Sequence, residues 1–184
     1  MQKEKGQTSN TKKIVYTALL TAMAYGISYL EFPIFAVAPF LKLDFSAVFI
    51  LLLGFMFGLE YGISACAVKE LLCFITKSST GGVGEIANFL VIGCFILVPC
   101  LLYRKRKGLK NVIISLIIAC LIQVVISLVV NRFINFPLYM GAGARDAFKE
   151  FWVFVALFNL IKSLAVSTIT VLLYKRVSFL IKSI

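Results

Sequence analysis

"FSAVFILLLGFMFGLEYGISACAVKELLCF", Phe45 to Phe74, decides how many helices this chain has. It is apolar almost throughout. It is also too long for one ordinary bilayer span, which needs about 20 residues. Near its middle stands "GLEYG", Gly58 to Gly62, whose two glycines and glutamate mark a turn. Read as one span, the stretch belongs to a five-helix protein. Read as two, 45–58 and 63–76, it belongs to a six-helix one.

The runs on either side let charge decide. They cover 14–30, 86–103, 112–130 and 151–174. With the N-terminus inside, six spans put three basic segments in the cytoplasm. These are the tail with Lys3, Lys5, Lys12 and Lys13, the connector with Arg104, Lys105, Arg106, Lys107 and Lys110, and the end with Lys175, Arg176 and Lys182. Outside remain only Lys42, Lys77, Arg132, Arg145 and Lys149. This satisfies the positive-inside rule, whereas five spans would move Arg104 to Lys107 outside. The expectation is an all-α membrane protein of six transmembrane helices, with both termini cytoplasmic. The second span, 45–58, is short.

Composition sets the same class. Hydrophobic residues make up 61% of the 184-residue chain and charged ones 15%, far more apolar than a soluble domain. One integral membrane domain over 1–184 leaves no polar sequence for a second. The net charge of +11 sits between apolar runs, as membrane anchors do, and no basic face with interleaved aromatics points to nucleic acid. Five cysteines without a CxxC spacing, in a chain with no histidine, offer no metal or redox site. The basic "MQKEKGQTSNTKK" before a long apolar run reads as the flank of a retained span, not as a signal peptide.

Three connectors stand out. "EFPIFAVAPFLKLD" is oily yet kept from helix by Pro33 and Pro39. It reads either as a lid or cavity wall, or as packing on the rim of the bundle. "KSSTGGVGE" is a glycine-rich loop, and Arg132 to Lys149 is a mixed loop.

Polar residues inside a membrane need a reason, because an ionised one costs about 2.5–3.5 kcal/mol at mid-depth. Here they are Lys69 and Glu70 in the third span, Asn88 in the fourth, Gln123 and Asn131 in the fifth, and Asn159 and Lys162 in the sixth. Lys69 and Glu70 are adjacent and point about 100° apart, so they are not a self-contained pair; they read as structural or partner-facing slightly ahead of ligand-binding. Asn159 and Lys162 are three apart and share a face, roughly 13 to 18 Å below the outer end of their helix. Asn88 and Asn131 lie nearer the outer ends of theirs. A lone amide at such a position is most often interhelical glue. Four groups at compatible depths point to a polar cavity open to the outside. Amides both donate and accept, and Lys162 adds a cationic donor, which suits a ligand with a mixed donor and acceptor edge.

In the first span, Ala18 and Ala22 stand four apart, a small-residue spacing that lets helices approach. No GxxxxGK[ST] occurs, so the chain carries no P-loop, and HExxH and GxSxG are absent as well. An enzyme lacks its chemistry here. A stand-alone secondary transporter or channel is the alternative, but it needs a coupling-ion path or an inverted repeat, and neither is visible. A purely structural protein leaves the polar cluster without a purpose.

"LEFPIF" and "PFLKLDFS" in the first loop, "SSTGGVGEIANFLVIG" from Ser78 and "FNLIKSLAVSTITVLLYKRVS" from Phe158 together resemble a known family. It is the substrate-specific (S) component of energy-coupling factor (ECF) vitamin transporters, in its riboflavin-binding branch. The resemblance runs from about Ile14 to Lys182. It implies six helices in a bacterial plasma membrane, a riboflavin site opening outward, and no cofactor. It also implies a transmembrane coupling subunit with two ATPase subunits as partners. It assigns ligand-binding roles to Leu41, Lys42, Glu85, Asn88, Asn131, Asn159 and Lys162, and docking on the coupling subunit to Ala18 and Ala22. The chain departs from the family pattern at Ala47 and Phe49, where an acid and a proline are usual, and at "KELLC", Lys69 to Cys73, where "KNLLH" is usual.

Overall fold

The computed structural model describes residues 2–105 and 108–183, with side chains over 10–105 and 108–174. Arg106 and Lys107 of the basic connector lie outside the described residues, as do the side chains of Lys3, Lys5, Lys175, Arg176 and Lys182.

Among the described residues the chain is mostly helical, with non-helical stretches at its first connector and at 78–82. Helix α1 covers Gln2–Ile27. The Ser28 amide bonds back to Ala24 and Tyr25, and turns follow through Leu30, so the run read as 14–30 overshoots the helix. Pro33 then disfavours helix at the residue before it. Strand β1, Phe32–Pro33, pairs antiparallel with β2, Lys42–Leu43, in the register Phe32 to Leu43 and Pro33 to Lys42.

Helix α2, Ser46–Phe57, and helix α3, Leu59–Lys77, are separated by Gly58 alone. Gly58 has φ 107°, which a side chain would oppose, so the break is one glycine rather than the whole of "GLEYG". Gly62 instead lies inside α3, where a Cβ would stand 3.2 Å from Ile96 Cδ1. That glycine lets α3 close on its neighbours.

Helix α4, Val83–Lys105, continues through Pro99, and α5 covers Leu109–Val130. The segment expected as a loop, Arg132 to Lys149, is almost wholly helical. A π-helical turn, Asn131–Asn135, leads into α6, Phe136–Met140, then a 3-10 turn, Gly141–Gly143, and α7, Ala144–Ser183. Pro137 does not break this path because it sits in the first turn of α6, where its missing N–H is not needed.

Helix α2 is apolar all round and therefore central. It packs against α1, α3, α4 and α7, and Ile50, Leu51 and Leu53 are fully enclosed. A second apolar cluster joins Ala38, Leu41 and Leu43 of the first connector to Phe136, Val155 and Phe158. The connector thus packs on the bundle, and its Leu41 and Lys42 also face a cavity. Both readings of that loop hold at once.

Helix α4 and the helical run Leu109–Tyr174 are long and apolar enough to cross a membrane, and Ser46–Phe57 is a shorter apolar helix. Outward-facing positions carry large apolar side chains, with Ile75, Leu121 and Leu172 all more than 60% exposed. Such a belt is foreign to a water-facing surface and fits lipid.

Candidate functional site

A cavity of about 510 Å³ opens between the first connector and helices α3, α4, α5, α6 and α7. Its volume is within the range of small-molecule sites. All seven residues selected for ligand binding, Leu41, Lys42, Glu85, Asn88, Asn131, Asn159 and Lys162, line it.

Lys162 anchors the floor. Its Nζ donates to Asp44 Oδ2 at 2.9 Å and reaches Asn88 Oδ1 at 3.5 Å. Asp44 is placed by its own turn: Oδ1 accepts from the Ser46 amide at 2.9 Å and from the Ser46 hydroxyl. Burial alone would push the Asp44 carboxyl up. The charges of Lys162 and Lys69, with the Ser46 bond, outweigh that and hold it well below the usual carboxylate range.

The polar chain continues into α3. Asn88 Nδ2 donates to Glu70 Oε1 at 2.6 Å, and Lys69 Nζ donates to the same oxygen at 2.9 Å. Lys69 and Glu70 are therefore paired with each other, contrary to the reading from their helical angle. Their backbones do diverge, but two long side chains turned into one buried cavity can bring their ends together. Both residues line the cavity rather than an outer face.

One wall is built of amides. Asn159 Nδ2 donates to the Val155 carbonyl at 2.9 Å, and its Oδ1 takes the Gln123 amide at 3.4 Å. Asn131 Nδ2 donates to the Ser127 carbonyl at 2.8 Å, and Asn131 Oδ1 accepts from Asn135 at 3.0 Å. Asn135 Oδ1 is buried and has no hydrogen-bond partner among the described residues. It lines the cavity, so it is an acceptor waiting for a donor. Phe40, Phe136 and Phe158 supply apolar surface beside these groups, with Phe40 edge-on to Phe136 at 6.1 Å.

The mouth is held by Glu31. It accepts from Lys42 at 3.1 Å and from Lys77 at 3.2 Å, while Lys77 also donates to the Ser28 carbonyl. Glu85 accepts from the Thr80 hydroxyl at 2.9 Å.

Sequence reasoning missed Asp44, Asn135 and Glu31. Asp44 carried a usable signal: a lysine buried in a span requires a carboxylate, and "LKLDFS" offers one at the head of α2. Asn135 carried none, because its segment read as a loop. Ala18 and Ala22 lie elsewhere, exposed on α1, while Thr21 and Ala24 of the same helix face inward.

The model of the family "ECF transporter, substrate-specific component" matches residues 12–174. The chain is 34% identical over 178 residues to the riboflavin transporter RibU of Staphylococcus aureus (strain TCH60), covering 94% of each protein. It is 27% identical over 171 residues to the riboflavin transporter FmnP of Bacillus subtilis (strain 168), covering 89% of this chain and 90% of that one. A solved S component of a bacterial ECF transporter superposes with a TM-score of 0.82 at 33% identity, covering 94% of this chain and 99% of that one. These relatives are membrane transport components, not enzymes. The chain is an all-helical membrane protein and belongs to the family of ECF transporter substrate-specific components.

Proposed function

We propose that this chain captures riboflavin from outside the cell and hands it to an ATP-driven partner module. The observation that carries the reading is the cavity floor and wall, where buried amides and the Lys162 ammonium meet beside aromatic surface. A flavin matches that lining. Its ring is flat and apolar over most of its area, and its pyrimidine edge carries carbonyl acceptors and an N–H donor. Asn159 answers both kinds, Lys162 donates, and the open acceptor on Asn135 suits the N–H or a ribityl hydroxyl. The names of the relatives from Staphylococcus aureus and Bacillus subtilis favour the same ligand.

The ligand-binding set is Leu41, Lys42, Glu85, Asn88, Asn131, Asn159 and Lys162. The chain forms one domain of six spans in the bacterial plasma membrane, with both termini and the basic connector in the cytoplasm. It works with a transmembrane coupling subunit and two ATPase subunits. Ala18 and Ala22 form the docking face, and their exposure supports this.

The test is direct. The protein is purified in detergent from cells grown with riboflavin and inspected for yellow colour. Riboflavin is then titrated against the stripped protein while flavin fluorescence is followed. Saturable quenching at one site per chain supports the reading. A folded protein that leaves the fluorescence unchanged overturns it.

A further inference from the structure

The bundle carries a second hollow, on its outside. A groove of about 360 Å³ runs between α3 and α4, beside the ligand cavity. Ala67, Leu71 and Phe74 line it from α3, spaced as one helical stripe. Ile86 and Phe89 line it from α4, and Gly82 lines it from the 78–82 turn. Phe74 is held against that turn, since a Cβ on Gly82 would stand 3.0 Å from its ring. The groove opens sideways, because Leu71 and Ile86 are both more than half exposed. The surface around it is the same apolar belt described above, with Val68 and Ile75 exposed on α3.

We propose that this groove is a lipid site, holding one acyl chain of a phospholipid from the leaflet on the side of the cavity mouth. Three observations choose that occupant. The groove lies on the membrane-facing surface of a membrane protein, where water is not at hand to fill it. From Lys77, at the end of α3, down to Ala67 the helix descends roughly 15 Å, half of a hydrocarbon core about 30 Å thick and so the reach of one chain. Helix α1, with the proposed docking face for the coupling subunit, packs on a different stripe of α3, through Cys73, Thr76 and Lys77. An unfilled void forfeits the dispersion contacts of the side chains around it. Lipid is as apolar as leucine, so a seated chain gains by packing and not by leaving water. Once seated, it backs the ligand cavity: among the described residues Glu70 and Glu85, and these alone, line both spaces. The lipid site does not depend on which molecule that cavity binds.

The full chain is reconstituted in vesicles of phosphatidylethanolamine and phosphatidylglycerol, doped with phosphatidylglycerol that carries a diazirine near the end of one acyl chain. After irradiation, adducts are mapped by mass spectrometry of peptides. Adducts on 67–74 and 86–89 should exceed those at Leu121 and Leu164, exposed belt positions near mid-membrane, at least about fivefold, a preference of about 1 kcal/mol. Ala67→Trp fills the deep end from an exposed position and should bring the groove down to the level of the belt. Ile86→Trp should do the same from the opposite wall. Ile75→Trp, on α3 outside the groove, should change nothing. Melting curves confirm that all three variants fold. A parent groove labelled no more than the belt, or labelling that neither filling variant lowers, overturns the proposal. Labelling that disappears when the coupling subunit is reconstituted alongside also overturns it, since the groove would then be a protein contact.

Discussion

Lys162 Nζ lies 2.9 Å from Asp44 Oδ2, and the two side chains are almost fully buried. A buried pair of this kind is costly to break, because the surviving charge keeps its desolvation penalty and loses its partner, typically about 3–5 kcal/mol. Asp44→Asn should lower the ligand-free melting temperature in detergent strongly. Lys162→Met should do so as well. The combination of the two should recover most of the stability yet still bind riboflavin poorly, since the donor is gone. A double variant as unstable as either single one would show that the pair is not the cause.

Asn159 should matter through its amide alone. Asn159→Leu removes a donor and an acceptor from the wall and strands the Gln123 amide. Riboflavin affinity should fall about 5- to 150-fold, the effect of losing up to two neutral hydrogen bonds, about 1–3 kcal/mol. Ser167→Ala, deeper on the same helix where the hydroxyl meets Cys120, should bind at parental strength. Titration of both variants, with melting curves to confirm folding, decides. Parental affinity in a folded Asn159→Leu would reduce this amide to glue between helices.

Orientation can be read by labelling. In a cysteine-free background, Ser79→Cys at the cavity mouth should react in whole cells with a membrane-impermeant maleimide, and bound riboflavin should slow it. Lys107→Cys should react only after the membrane is opened. The opposite pattern would overturn the six-span arrangement.

Docking should separate from binding. Ala18→Trp and Ala22→Trp enlarge an exposed face of α1 without touching the cavity. Co-purification with the coupling subunit and ATP-dependent uptake should both drop, while riboflavin quenching stays parental. Intact assembly would place the docking face elsewhere.

Much of this was legible in the sequence because membranes make polar residues conspicuous. Asn88, Asn131, Asn159 and Lys162 could be found by position alone, since each interrupts an apolar run, and depth arithmetic put them all towards the outer half of the bundle. Gly58 was legible as a break because positive φ is glycine's own territory. Three things were not. The pairing of Lys69 with Glu70 depends on side-chain reach, which backbone angles do not report. The helical path from Arg132 to Lys149 looked like a loop because polar residues and Pro137 mimic one, while packing on α7 and the first connector decided otherwise. The pairing of Asp44 with Lys162 was missed because Asp44 belongs to a connector and its partner lies 118 residues away, although a buried lysine does call for a carboxylate.

That separation has a bearing on how the chain is made. A ribosome delivers Asp44 long before α7 exists, so the head of α2 is made with this carboxylate still lacking its ion-pair partner. Charges of this kind are costly at membrane depth until they are paired. The arrival of Lys162 ends that exposure. A chain truncated after α6 would keep every earlier apolar helix and still carry the uncompensated acid, so it should be degraded faster than one truncated within the tail beyond Tyr174. The last helix thus supplies the charge that completes the buried pair.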